Sequence, residues 1–222
     1  IEKISCKICW EDQLVEDKAR IAVESSFDKK EREDTFVSRR DVSSLITNRT
    51  LLVLVDHSDP RRSIFPEQAK KFEQIAVVDH HRLGSVMVNN AVFSHIDTSA
   101  SSASEIFTTF FRYNQKDIKM DSRTATFLLT GISLDTHNFK EHTTDVTFEA
   151  AAALQTYGAS NAKSVDFLKD DFEDYRLQIS ILNHSETPYY GTVVSVSSDD
   201  DIVSSVTLSK VANRAICLRG VS

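Results

Sequence analysis

Residues 75–81 read Ile75-Ala76-Val77-Val78-Asp79-His80-His81, an apolar run that stops abruptly on a carboxylate and two imidazoles. The run is too short for a helical pattern and reads as a buried strand. In open α/β folds such strands carry their last residues to the carboxyl edge of the sheet, where ligands bind. Asp and His together at that edge suit a divalent metal. Leu51-Leu52-Val53-Leu54-Val55 runs into Asp56 in the same manner, and Phe127-Leu128-Leu129-Thr130-Gly131-Ile132-Ser133-Leu134 ends on Asp135. Core packing alone gives no reason for three apolar segments each to finish in a metal-capable carboxylate.

Between the first two runs, Asp59-Pro60 breaks the chain and residues 65–72 read as a helix. Two strands apolar throughout, joined by a helix, predict a parallel sheet covered on both faces. Upstream, residues 1–5 look like a strand, 16–25 like a helix, the charged run 29–34 like a solvated surface, and 41–47 like a short helix. Downstream, Ser102 followed by Glu105 makes a capping-box pattern ahead of Ile106, Phe107, Phe110 and Phe111. Glu105 has a second reading, as a carboxylate that supports the metal ligands from behind, and the two are compatible. Asp121 starts a segment carrying Ala125, Leu128, Leu129 and Ile132, whose length favours a helix that presents Asp135 at its end. Thr144 or Asp145 caps a helix through Leu154, closed by Gly158. Residues 172–182 form an amphipathic helix with Phe172, Tyr175, Ile179 and Leu182 on one stripe. Asn183-His184-Ser185-Glu186-Thr187-Pro188 reads as a linker between domains. A strand over 192–196, a helix over 201–213 and a second strand opening at 215–218 then begin a smaller α/β unit.

The chain has 222 residues, more than one average domain, with 41% hydrophobic and 27% charged residues, as in an ordinary globular protein. A net charge of −7 argues against a general nucleic-acid binder, which carries a basic face. It leaves room for phosphate chemistry through cations, because bound cations reverse the local field. No apolar run approaches the roughly 18 residues that span a bilayer, and no signal peptide opens the chain. The three cysteines are Cys6, Cys9 and Cys217. Cys6-Lys7-Ile8-Cys9 has zinc spacing, but a structural zinc needs four ligands and no second pair accompanies it. The plainer reading is a strand with Cys6 and Ile8 on one face, in a reducing cytoplasm.

With these residues in view, the chain resembles the DHH phosphoesterase superfamily. Leu51 to Asp56 is similar to that family's second motif, Val77-Val78-Asp79-His80-His81-Arg82-Leu83-Gly84 to its third, and Gly131-Ile132-Ser133-Leu134-Asp135-Thr136 to its fourth. Ala100-Ser101-Ser102-Ala103-Ser104-Glu105 is similar to the serine-rich helix start between the last two. Thr147-Phe148-Glu149-Ala150-Ala151 leans toward the DHH/DHHA1 cyclic-di-AMP phosphodiesterases of Gram-positive bacteria and away from the family II pyrophosphatases. The resemblance implies an α/β fold with a parallel sheet flanked by helices: a DHH core over 1–183, a linker over 184–190 and the start of a DHHA1 substrate-binding domain over 191–222. It implies that Asp56 bridges two Mn²⁺ ions and that His80 and Asp135 complete one of them. Asp79 and His81 would act in catalysis by orienting ligands and phosphate, and Ser102, Arg82 and Gly84 would contact substrate. The implied partner is a cyclic dinucleotide, opened to linear pApA, with no long nucleic acid, and a homodimer is allowed. The implied location is cytoplasmic, with no membrane contact by this segment and the parent protein tethered by transmembrane helices far upstream.

The chain departs from the family pattern in two places. The first motif, H-x3-D-x-D, is absent before Asp56, and Val221-Ser222 stops short of the expected glycine-rich G-G-G-H. The expectation is a piece of a longer protein, which by itself binds one metal weakly and turns over no substrate. Where relatives carry R-T-G-x-R-T-F, the arginine positions hold His142 and Val146 and the glycine position holds Thr144. An arginine lost from a phosphate site is not a conservative change. Two alternatives therefore stand beside the phosphodiesterase: a nanoRNase or 3′-phosphatase of the same superfamily, and a nucleotide-binding module that does not cleave. Among the other histidines, His57 faces either the cleft or solvent, His137 lies near the site by sequence, and His95 and His184 read as structural or exposed.

Overall fold

The computed structural model describes residues 4–82, 84, 88, 91–114, 119–196 and 203–221. It divides into two compact units, Ile1–Leu168 and Lys169–Ser222. The first unit runs β1 (Ile8–Cys9), α1 (Asp17–Ser26), α2 (Lys29–Thr35), β2 (Phe36–Val37), α3 (Arg39–Leu45), β3 (Leu51–Val55), α4 (Pro66–Ala69), β4 (Gln74–Asp79), β5 (Phe93–Ile96), α5 (Ala103–Tyr113), α6 (Ser122–Asp135), α7 (Asp145–Thr156) and α8 (Asn161–Phe167). The α/β class with parallel pairing holds. β3, β4 and β5 form one parallel sheet in that order, with Leu51 opposite Gln74 and Asp79 opposite Ile96, while β1 and β2 pair separately.

The central strand β4 is buried from Ile75 to Asp79, as an apolar strand between neighbours should be. β3 is different. It lies at the sheet edge, and Leu51, Val53 and Val55 are 47%, 45% and 43% exposed, so the expected cover on both faces is absent from this strand among the described residues. Val78 packs with Ala100 and Ile106, which seats α5 on the sheet. A second cluster of Ala125, Leu129, Ile132, Ala150, Leu154 and Ala159 joins α6 to α7 and the turn beyond it. The helix reading of residues 121–135 is correct: Asp121 caps α6 and Asp135 is its last residue. Thr144 caps α7, and Gly158 takes φ +85° after its end, the left-handed conformation that glycine adopts without cost.

Several boundaries differ from expectation. Residues 1–3 of the expected opening strand lie outside the described residues, and the strand found is Ile8–Cys9, where backbone pairing with β2 is available. The charged run 29–34 is exposed as expected, but it is helical, because Asp28 and Glu31 form a reciprocal capping box. The short helix expected at 41–47 starts earlier, at Arg39, where Ser38 caps it. The helix expected over 65–72 is one turn, Pro66–Ala69. Ser102 does cap α5, but the carboxylate of Glu105 accepts from Ser101 and Thr147, so only half of the expected capping box forms.

Gly131, inside α6, has a packing reason. A Cβ there would lie 2.1 Å from the Ser104 hydroxyl and 3.1 Å from its Cβ, so glycine lets α5 and α6 approach. Gly131→Ala gains about 1 kcal/mol in helix propensity and incurs about 1–3 kcal/mol of overpacking. The expected net loss is about 1 kcal/mol, read as a lower urea midpoint. An unchanged or higher midpoint would show that Ser104 swings aside.

The second unit contains α9 (Phe172–Asn183), β6 (Glu186–Tyr189), β7 (Thr192–Val194) and α10 (Ser205–Ile216), with β6 and β7 antiparallel. The helix assigned to the first domain therefore belongs to this unit, and the residues expected as a linker over 184–190 contain β6. The expected stripe on α9 is also displaced. Phe172 and Tyr175 are exposed, and the buried positions are Gln178 and Ile181. The reason is polar: Asp174 bonds Lys210 at 2.5 Å and Thr207 at 3.1 Å, and Gln178 accepts from Arg214 at 2.7 Å. The strand expected at 215–218 is the end of α10 and its turn, and residues 201–202 of the expected helix lie outside the described residues.

Candidate metal centre

Asp56 follows the last residue of β3 and takes φ +66°, a left-handed conformation uncommon outside glycine but tolerated by Asp. Its N–H donates to the Val78 carbonyl at 2.9 Å, so the turn is locked to the neighbouring strand. His57 secures the same turn, with Nδ1 2.9 Å from the Val55 carbonyl and Nε2 3.1 Å from the Ser63 hydroxyl. His57 is thus part of the loop's scaffold.

One strand over, Asp79 ends β4 and is only 1% exposed. Its Oδ1 accepts from the His80 N–H at 2.8 Å, the His81 N–H at 3.1 Å and the His81 Nδ1 at 2.8 Å. Burial alone would raise this carboxyl, but the hydrogen bonds from His81 and His80 outweigh it and hold it below the usual carboxylate range. An ionised Asp79 makes His81 donate through Nδ1 and leaves Nε2 as the free ring nitrogen.

His80 turns toward the carboxylates. Its Nε2 stands 3.2 Å from Asp56 Oδ1 and 3.8 Å from Asp135 Oδ2. The hydrogen bond with Asp56 raises the imidazole above its ordinary value against the opposing effect of burial. Burial raises Asp135 as well, and the neighbouring Asp56 carboxylate adds to it. His81 Nδ1 lies 3.9 Å from Asp56 Oδ1. The donor atoms of Asp56, His80 and His81 all fall within 4.8 Å of one another, one group able to hold a metal ion among the described residues.

These residues fit a divalent cation. Ligands about 2.1 Å from an octahedral ion stand about 3.0 Å apart when adjacent and about 4.2 Å when opposite, and the separations of 3.2 and 3.8 Å from His80 Nε2 to Asp56 and Asp135 fall within that range. Two carboxylates in one site also resist ionising together, a cost that a cation removes.

The structure thus brings Asp56, His80, His81, Asp79 and Asp135 together from β3, β4 and α6. His81 stands nearer to Asp56 than its expected supporting position suggests. Arg82 and Gly84 are exposed beyond β4, while Leu83 lies outside the described residues, and among the described residues nothing lies within 4 Å of a Cβ placed on Gly84. Ser102 is a correction: it is fully buried and its hydroxyl caps α5, so it offers no surface to a substrate. Cys6 and Cys9 join no metal-capable group among the described residues. His137 pairs with Glu141 at 3.3 Å, His95 packs edge-on against Phe110, and His184 bonds the Ser180 carbonyl. Sequence reading did not find the contact of Glu105 with Thr147. The two are 42 residues apart, and no local pattern links them.

Relatives bear on this geometry. The chain is 31% identical over 176 residues to the cyclic-di-AMP phosphodiesterase PdeA of Listeria monocytogenes, an overlap covering 79% of this chain and 27% of that protein. It is 38% identical over 96 residues to a probable manganese-dependent inorganic pyrophosphatase of Thermotoga maritima, covering 43% of this chain and 17% of that protein. The chain therefore spans about a quarter of the length of the first relative. Its fold is similar to that of an exopolyphosphatase-related protein from Bacteroides fragilis, with a TM-score of 0.68 and 14% identity over 81% of this chain and 55% of the other. The pattern of the DHH family, N-terminal domain, matches residues 18–132, more than half of the chain and including the strand that ends on Asp79 and the two histidines after it; the chain belongs to that family.

Proposed function

We propose that the protein to which this chain belongs is a Mn²⁺-dependent phosphodiesterase that opens cyclic-di-AMP to linear pApA. The observation that carries this reading is the convergence of Asp56, His80 and His81 within 4.8 Å at the carboxyl edge of a parallel sheet. The choice of a cyclic dinucleotide draws on the activity for which the Listeria relative is named.

In this reading Asp56 and His80 hold the cation and Asp135 completes their set. A bound divalent cation supplies Lewis acidity and lowers the pKa of water toward neutrality. Asp79 fixes the tautomer and direction of His81 through the 2.8 Å bond, and His81 Nε2 meets a phosphate oxygen of the substrate. Arg82, exposed at the same sheet edge, contributes positive charge to the dianionic ligand. The resemblance to a manganese-dependent pyrophosphatase over 96 residues supports a second reading, hydrolysis of pyrophosphate.

The test is incubation of the protein in its natural sequence context with Mn²⁺ and, in parallel, cyclic-di-AMP, pyrophosphate and a short oligoribonucleotide. The expected result is pApA, formed only with the metal. Phosphate release from pyrophosphate without pApA would transfer the reading to the pyrophosphatases. Mononucleotides from the oligoribonucleotide, again without pApA, would transfer it to a nanoRNase. No turnover of any of the three would leave a nucleotide-binding module and end the phosphodiesterase reading.

A further inference from the structure

α6 ends on Asp135, a residue that works against a stable helix end. A carboxylate in the last turn faces the negative pole of the helix dipole, and no basic residue stands in that turn to offset it. The chain then reverses through His137, Asn138 and Phe139, at φ +48°, +59° and +61°. Three consecutive side chains in the left-handed region are uncommon, because only glycine enters it freely, with Asn and Asp the most tolerant of the rest. Such a turn persists only where its surroundings over-determine it.

Thr136 supplies that constraint. It is fully buried, and its hydroxyl donates to the Ile132 carbonyl at 2.6 Å while accepting the Phe139 N–H at 3.0 Å. Its carbonyl accepts two further bonds, from the Lys140 N–H at 2.9 Å and the Glu141 N–H at 3.1 Å. The Asn138 N–H reaches back to the Ser133 carbonyl at 2.8 Å, and the His137 N–H to the Leu134 carbonyl at 3.2 Å. This pair of bonds closes a helix whose first residue beyond the cap is left-handed, a position commonly held by glycine and here by His137. Past the turn, Phe139 packs against the cluster that joins α6 to α7 and stacks on Phe148, with ring centres 5.8 Å apart. Asp135 lies between Ile132 and Thr136, within these bonds, and its Oδ2 is 3.8 Å from His80 Nε2. We infer that Thr136 is a positioning residue for Asp135: its buried hydroxyl ties Ile132 to Phe139 and so fixes the helix end from which Asp135 reaches the metal centre.

The consequence for cation affinity rests on the metal reading given above, while the consequence for the helix end does not. The test is therefore made first on the metal-free chain, by NMR. Thr136→Val keeps the shape of the side chain and removes its hydroxyl. The Phe139 N–H is then expected to exchange roughly 2–10-fold faster, as the loss of one hydrogen bond implies, and the His80 ring signals are expected to shift. Thr136→Ser keeps the hydroxyl and is expected to restore both. With Mn²⁺, Thr136→Val should bind about 10–100-fold more weakly, the usual effect of losing a residue that orients a ligand, and Thr136→Ser should recover most of that affinity. Faster exchange at Phe139 with unmoved His80 signals would limit Thr136 to holding the turn and overturn the inference, as would unchanged exchange. Should Thr136→Val fail to fold, hydrogen exchange of the unsubstituted chain decides. Equal protection of the Asp135 and Phe139 N–H groups would support the inference, because the helix end and the turn then open as one unit. A protected Asp135 beside an unprotected Phe139 would overturn it. Absence of Mn²⁺ binding by the unsubstituted chain would defeat the metal reading, with the NMR result still deciding the role of Thr136.

Discussion

Asp56→Asn is expected to abolish saturable Mn²⁺ binding in titration calorimetry while leaving the metal-free protein folded. Asparagine is the informative substitution because of the backbone. Asp56 sits at φ +66°, where Asn is tolerated and most other side chains cost roughly 1–2 kcal/mol. Asp56→Ala would mix that strain with loss of the ligand, whereas Asp56→Asn keeps the shape and removes the charge. The expected weakening exceeds the roughly 10–100-fold attached to supporting residues, because Asp56 supplies a donor atom itself. The thermal midpoint should move by no more than the 2–4 °C or so that 1 kcal/mol produces in a protein of this size. Unchanged affinity would remove Asp56 from the site, and a large thermal shift would make its role structural.

The second large effect is on the fold. Leu154 in α7 is fully buried and packs in the cluster with Ala125, Leu129 and Ile132 of α6. Truncating such a leucine removes its transfer free energy and leaves a cavity, together about 2–5 kcal/mol. Leu154→Ala should therefore lower the thermal midpoint by roughly 4–20 °C. Because α6 ends in Asp135, the same variant should also weaken Mn²⁺ binding modestly as that carboxylate loses its firm support. A midpoint change under about 2 °C would mean that the cluster closes over the gap and contributes little to holding α6.

The sequence made the site more legible than its surroundings. Residues 75–79 announce a buried strand because burial on both faces demands an unbroken apolar run, and β4 is that strand. The length of the apolar pattern before Asp135 separated helix from strand, and Asp121 marked its start. What was not legible depends on contacts between distant residues. The polar pairing of Asp174 with Lys210 and of Gln178 with Arg214 buries a different face of α9 than hydrophobicity alone selects. Ala215 to Leu218 reads as strand by composition, but α10 continues through Ile216, and helix propagation adds one bond per residue once begun. Glu105 carries a correct local signal, the cap position, that conceals its bonds to Ser101 and Thr147. The left-handed turn at Asp56 is invisible to pattern reading, because Asp tolerates several backbone conformations.

The most direct test of the metal centre is anomalous diffraction from a crystal of the chain soaked in Mn²⁺. A manganese peak within ligand distance of Asp56 and His80, with Asp135 on its third side, is the predicted result. A well-ordered site without a peak, or a peak elsewhere on the protein, would contradict the assignment of these residues as metal ligands.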